Sequence, residues 1–187
     1  MGDSDYARVS VKFQDITGMP MAMLNNFKPF FGMSLLAINS VNCNETIQPE
    51  TEFVSIAKKN NIPIQGLETI DDQLNAIDKE PLDSQINDLK KAILNFDSVK
   101  NGMSQFKEIY KRRDIDTLYS FMKSSGISED FSIELINKRN ANWIPLIQKA
   151  ITEKPTFFAV GSGHLGGPEG VISLLRKKGY RLTPVKF

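Results

Sequence analysis

Apolar residues recur at intervals of three and four along most of the chain beyond residue 48. This spacing places them on one face of a helix and predicts a series of short amphipathic helices. The residues that mark these helices are Phe53 and Ile56, Leu74 and Ile77, Ile86, Leu89 and Ile93, Phe106 and Tyr110, and Leu118 and Met122. A longer helix is predicted from Phe131 through KRNANWIPLIQKAI, with a kink or break at Pro145.

Three short apolar runs interrupt the helical pattern and read as strands. They are IPIQGLE at 62–68, TFFAVG at 156–161 and RLTPV at 181–185. Strands that alternate with helices predict an α/β fold, mostly helical, with a small and partly parallel sheet. We therefore expect a single domain over 1–187, with a helical insertion at about 70–153.

The composition narrows the classes of function. The chain has 187 residues and a net charge of +1, with positive and negative side chains interspersed. This distribution predicts no nucleic-acid partner. A single cysteine, Cys43, excludes an intramolecular disulfide and a cysteine-cluster metal site. The apolar runs are shorter than the roughly 18 residues of a membrane-spanning helix, so no transmembrane segment is predicted.

The glycine-rich stretch GSGHLGGPEG, residues 161–170, allows two interpretations. Gly161, Gly163 and Gly166 spell the G-x-G-x-x-G pattern of a dinucleotide-binding turn. That turn needs further sheet and an acidic residue about 20 positions later, whereas no Asp or Glu follows Glu169. No nucleotide is therefore expected, and the chain's one histidine, His164, becomes the candidate functional residue.

Two of the predicted strands end on ionisable side chains. The first ends on Glu68, and the second leads into His164. If the strands are parallel, the carboxylate and the imidazole meet at one sheet edge, where they suit metal binding or acid–base chemistry. Gly161 and Gly163 would let the backbone turn sharply and approach a ligand. The alternative is a structural histidine in a tight turn.

Arg139, Asn140 and Trp143 form a third candidate cluster on the long predicted helix. Arg139 and Trp143 are four residues apart and share a helix face. They could make only a structural cation–π contact or ion pair. Arg139 could instead bind an anion or orient Glu68.

Four local motifs resemble the TraB/GumN family, which is related to the TIKI-like metalloproteases. They are NFKPFF at 26–31, GLET at 66–69, KRNANW at 138–143 and GSGHLGGPEGVISLLRKKGY at 161–180. The resemblance implies an α/β hydrolase-type domain with a divalent-metal site. It assigns catalytic roles to Glu68, Arg139 and His164, and metal ligation to Glu68 and His164. Asn140, Gly161 and Gly163 are the expected binding residues.

The sequence departs from the family pattern at one important point. The family has two G-x-x-H motifs, and this chain has only Gly161–His164 because it contains one histidine. One imidazole and one carboxylate fall short of the roughly three protein ligands of a catalytic zinc site.

We therefore expect a member of a metal-dependent hydrolase or protease family whose active site is incomplete or inactive in this chain. Mn, Co or Zn is the expected metal and a peptide or protein the expected substrate. The alternative is a non-catalytic interaction domain that forms a homodimer. A third possibility is a small-molecule carrier that uses the methionine-rich helices around 19–38. The resemblance favours an extracytoplasmic location, either periplasmic or secreted.

Overall fold

The computed structural model of the protein describes residues 3–41, 47–126 and 128–185, so Cys43 lies outside the described residues. Helices are the only regular secondary structure in these ranges. The α-helices are α1 (Asp3–Thr17), α2 (Pro29–Ser40), α3 (Pro49–Lys59), α4 (Ile70–Ile77), α5 (Leu82–Leu94), α6 (Phe96–Lys111), α7 (Ile115–Lys123), α8 (Glu129–Ser132), α9 (Arg139–Glu153) and α10 (Val171–Lys177). Short 3-10 turns lie at Met21–Leu24 and Ser162–His164, and a π-helical segment, Ile133–Lys138, joins α8 to α9.

The prediction of an α/β fold with a small parallel sheet is wrong. Over the described ranges the protein is all-helical, and the predicted strands at 62–68, 156–161 and 181–185 form no sheet. In the first two predicted strands, the apolar side chains of Leu67, Phe158 and Val160 pack against helices, which accounts for the error there. A short apolar run indicates that one side of the backbone is buried. It does not distinguish burial against a pair of helices from burial in a sheet.

The chain divides into two compact units, and the first comprises Met1–Asn44 and Ile77–Arg112. Its core is formed by Val9 and Phe13 of α1, Leu36 of α2, and Leu89 and Ile93 of α5. Within α1 and within α5, the two core residues are four positions apart and therefore lie on one helix face. The periodicity that predicts α5 from the sequence is thus the periodicity of this core.

The second unit comprises Glu45–Ala76 and Arg113–Phe187, and it contains all the candidate site residues. Its core is built from Trp143, Ile144 and Ile147 of α9, packed against Val171 of α10. The helix α9 continues through Pro145, so the predicted break does not occur there. Arg139, Asn140 and Trp143 therefore project from one uninterrupted helix.

No helix in the described part of the chain is both long and apolar enough to cross a membrane. This agrees with the prediction of no transmembrane segment.

Candidate functional site

Glu68 lies at the centre of a network of charge-assisted hydrogen bonds. Arg139 of α9 donates from Nε to Glu68 Oε2 at 3.0 Å and from Nη2 to Oε1 at 2.6 Å. Trp143, one turn further along α9, donates from its indole Nε1 to Glu68 Oε2 at 3.0 Å. The side chains of Arg139 and Glu68 are only 16% and 11% exposed, so this two-pronged ion pair is largely removed from water. Both carboxylate oxygens of Glu68 are therefore engaged within the chain.

The surroundings of Glu68 act on its pKa in opposite directions. Burial raises the pKa, but the hydrogen bonds and positive charge of Arg139, with hydrogen bonds from Trp143 and Gln73, outweigh it. The net result holds the pKa of Glu68 below its ordinary value of 4.5. Glu68 is thus an anion at neutral pH, and its charge is balanced by Arg139.

His164 is held in place from two sides. It is 8% exposed and ends the 3-10 turn, in which its backbone N–H donates to the Gly161 carbonyl at 2.9 Å. Its Nδ1 lies 2.7 Å from Oδ1 of Asn140, a fully buried residue of α9. Its ring packs against that of Trp143, with 4.5 Å between the ring centroids. The imidazole is therefore fixed in both position and orientation.

The same surroundings keep the His164 imidazole neutral. Burial first, and then the nearby positive charge of Arg139, lower the pKa of His164, while the negative charge of Glu68 raises it. The net effect lowers the pKa from 6.5 to about 4. A neutral imidazole has one ring nitrogen that donates and one that accepts a hydrogen bond. At neutral pH His164 can therefore serve as a proton acceptor or as a ligand.

We expect the second unit to lose stability as the pH falls from 6.5 to 4. In this window the unfolded chain takes up a proton at His164 that the folded chain resists, so stability falls by at most about 1.4 kcal/mol per pH unit. Glu68, whose pKa is also lowered, adds a loss as the pH falls below 4.5. Urea unfolding followed by the fluorescence of Trp143, the only tryptophan, measures this at a series of pH values.

The variant His164→Gln is the control, because it removes the imidazole titration and should flatten the dependence between pH 6.5 and 4. Equal urea midpoints for the unmodified protein at pH 7 and pH 5 would contradict a neutral, buried His164.

Several glycines of the 161–170 stretch lie where α7 packs closely against the turn. A Cβ atom on Gly163 would lie 2.7 Å from the Met122 side chain, and one on Gly167 would lie 2.4 Å from the ring of Tyr119. Gly167 also has a φ of +81°, which a side chain disfavours. A Cβ atom on Gly161 would meet only the His164 ring, at an ordinary contact distance of 3.7 Å. Close packing against α7 thus accounts for Gly167, whereas at Gly163 the flexible end of Met122 could move aside. Ligand binding by Gly161 and Gly163 stays a prediction.

The structure brings Glu68, Arg139, Asn140 and His164 into one cluster, and Trp143 contacts both Glu68 and His164. Arg139 fulfils two of the roles considered from the sequence, since it pairs with Glu68 and lies over the Trp143 ring at 5.3 Å. The hydrogen bond from the Trp143 indole to Glu68 was not predicted from the sequence. The polar edge of a tryptophan that shares a helix face with an inward arginine is the signal that could have indicated it.

The packing of α7 on the glycine-rich turn was also missed. Glycine spacing by itself does not distinguish a turn that approaches a ligand from one that approaches a helix. The apolar face of α7, with Tyr119 and Met122, gives no indication of its partner.

The cluster does not fit the divalent metal that the family resemblance implies. A catalytic site of this type uses about three protein ligands. Among residues 3–41, 47–126 and 128–185, no group of three or more His, Cys, Asp or Glu side chains is placed to hold a metal ion. The cluster itself offers two candidate ligands, Nε2 of His164 and the Glu68 carboxylate, and the charge of that carboxylate is already balanced by Arg139.

The fold and the site define an α-helical protein in which a buried cluster of ionisable residues lies beside a glycine-rich turn. A sequence model of the TraB/PrgY/gumN family matches residues 1–184, and the chain belongs to this family. The match confirms the resemblance found in the four motifs. No curated protein and no solved structure matches the chain.

Proposed function

We propose that the second unit carries part of a metal-dependent hydrolase site, and that this chain does not hydrolyse peptide or protein substrates by itself. Family membership supports the relation to such a site. The observation that carries the second half of the proposal is the small number of available donor atoms. The cluster has two groups that could bind a metal. They are Nε2 of His164 and the Glu68 carboxylate, which already accepts hydrogen bonds from Arg139 and Trp143.

The three central residues have distinct roles in this proposal. His164 provides a neutral nitrogen that can accept a proton or bind a ligand. Glu68 supplies a negative charge beside it, and Arg139 fixes the orientation of that carboxylate through its two hydrogen bonds. Mn, Co or Zn would be held tightly only if further ligands came from outside the described residues, because two ligands fall short of the usual three.

Metal titration and a protease assay test this proposal directly. Calorimetry with Zn²⁺, Co²⁺ and Mn²⁺ on the purified chain should find no site of low-micromolar affinity that depends on His164. A fluorescently labelled unfolded protein, incubated with the same metals, should be cleaved no faster with the chain than with the variant His164→Ala. Low-micromolar binding or cleavage that this variant abolishes would overturn the proposal.

A matched variant separates this site from adventitious metal binding. Glu169 is exposed on the nearby turn and pairs with Lys177, so Glu169→Gln removes a carboxylate outside the cluster. Binding lost in Glu169→Gln and kept in His164→Ala would be a surface effect and would leave the proposal in place.

A non-catalytic interaction domain is the second candidate, and exposed apolar residues favour it. Ile64, Phe157 and Val185 are 55%, 75% and 80% exposed in the segments that form no sheet. Backbone that is unpaired and flanked by apolar side chains can accept a strand from a second molecule. A second copy of this chain would then give a homodimer. Light scattering over a range of concentrations tests this: dimers that Phe157→Asp dissociates would support it, and a monomer throughout would oppose it.

The substrate class and the extracytoplasmic location stay predictions. Fractionation of cells that express a tagged protein tests the location.

A further inference from the structure

The side chain of Asn140 is fully buried and contacts the glycine-rich turn. Asn140 follows Arg139 on α9, but its side chain reaches this turn instead of Glu68. It makes three hydrogen bonds there, all of them to the segment from His164 to Glu169. The buried amide thus joins α9 to the turn that carries the histidine.

The two carbonyl oxygens around Asn140 determine which way its amide points. Nδ2 donates to the backbone oxygen of Glu169 at 2.8 Å and to that of His164 at 3.3 Å. A carbonyl oxygen only accepts hydrogen bonds, so the atom that faces both of them must be the NH₂ group. The reversed amide would place Oδ1 against two oxygens and leave buried acceptors without donors. Oδ1 therefore faces His164.

The orientation of the amide in turn determines the protonation of the imidazole. Oδ1 of Asn140 lies 2.7 Å from Nδ1 of His164 and can only accept, so Nδ1 must carry the hydrogen. In a neutral imidazole the other nitrogen, Nε2, then has the lone pair. No described residue hydrogen-bonds to Nε2. The ring cannot readily turn over to exchange the two nitrogens, because Trp143 packs against it.

We propose that Asn140 is a positioning residue that holds His164 in the Nδ1–H tautomer and leaves the lone pair of Nε2 available to accept a proton or bind a ligand. Such a residue acts through the histidine, as do the hydrogen-bond partners that orient metal-binding or proton-accepting imidazoles elsewhere. The inference deepens the proposed function, since it names the atom through which His164 acts. The amide makes its hydrogen bonds within the chain, so in this proposal Asn140 acts through His164 and not through direct contact with a substrate.

Nitrogen NMR of the imidazole tests the tautomer without any assay of activity. His164 is the only histidine, so protein labelled with ¹⁵N-histidine gives one pair of ring nitrogens and needs no further assignment. At pH 8 the neutral ring should show a protonated Nδ1 and an unprotonated Nε2. In Asn140→Ala the acceptor is gone, and the populations should shift towards the Nε2–H form. In Asn140→Asp one carboxylate oxygen can still accept from Nδ1, although the other faces the carbonyls of His164 and Glu169 without a hydrogen to donate. A folded Asn140→Asp should therefore keep the Nδ1–H form.

Two outcomes would overturn this assignment. A proton on Nε2 in the unmodified protein would do so, as would an unchanged tautomer in a folded Asn140→Ala. Near-native Trp143 fluorescence reports that a variant is folded; if Asn140→Ala unfolds, the unmodified protein decides alone. The proposed function would fail if the chain bound metal tightly or cleaved the labelled protein. Neither result changes which ring nitrogen of His164 carries the proton, so the two proposals can fail independently.

Discussion

Replacing Arg139 with alanine is expected to destabilise the second unit by about 3 kcal/mol, because it leaves the buried Glu68 carboxylate without its charged partner. Glu68 is 11% exposed and would keep its hydrogen bonds from Trp143 and Gln73, but no compensating charge. The removal of one member of a buried pair costs far more than the loss of an exposed pair. Urea unfolding monitored by Trp143 fluorescence measures the change, and the probe lies inside the affected cluster.

Two further variants make the result specific to the ion pair. Lys177→Ala breaks the exposed pair with Glu169 in the same unit and should cost no more than about 1 kcal/mol. The double variant Glu68→Leu/Arg139→Met removes both charges and should recover much of the loss. Equally small losses of unfolding free energy for Arg139→Ala and Lys177→Ala would contradict the burial of the Glu68 carboxylate.

The substitution Gly167→Ala is expected to destabilise the same unit by about 3 kcal/mol, the sum of two effects. A side chain at φ +81° costs about 1–2 kcal/mol, and overpacking costs about a further 1–3 kcal/mol. The new Cβ would lie 2.4 Å from the ring of Tyr119 on α7. Unfolding in urea again provides the measurement.

Gly179 provides a closely matched control for Gly167. Its φ is +88°, but a Cβ there would meet nothing within 4 Å, so Gly179→Ala should show the conformational cost alone, about 1–2 kcal/mol. Shortening the opposing side chain with Tyr119→Ala should relieve part of the cost of Gly167→Ala. Equal losses for the two glycine variants would mean that α7 does not pack on the turn.

Much of the helical structure could be predicted from the sequence. The spacing of Leu89 and Ile93, and of Trp143 and Ile147, places each pair on one face, and these faces form the cores of the two units. Local spacing predicts such helices because their hydrogen bonds join residues four positions apart. Pro145 was the exception, since α9 continues through it.

The three predicted strands failed because a strand depends on partners that are distant in the sequence. An apolar run such as TFFAV specifies burial on one side and does not specify what covers it. Phe158 and Val160 pack on helices, whereas Phe157 is 75% exposed.

The sequence by itself determined the family, the helical periodicity and the set of ionisable residues that form the cluster. It also determined that one histidine is available, which limits any metal site in this chain. Only the tertiary structure decided how these residues are used. It joined Glu68 to Arg139 and Trp143 across 71 and 75 positions, and His164 to Asn140 across 24.

The physical reason is the directionality of the hydrogen bond. Composition and spacing show which donors and acceptors the chain contains. Whether a given oxygen accepts a hydrogen bond depends on a donor lying about 3 Å away, and that donor can come from a residue far away in the sequence. The tertiary contacts therefore decided that Arg139 and Trp143 bind the Glu68 oxygens, that Gly163, Gly166 and Gly167 lie against α7, and that the lone pair of Nε2 on His164 is left available.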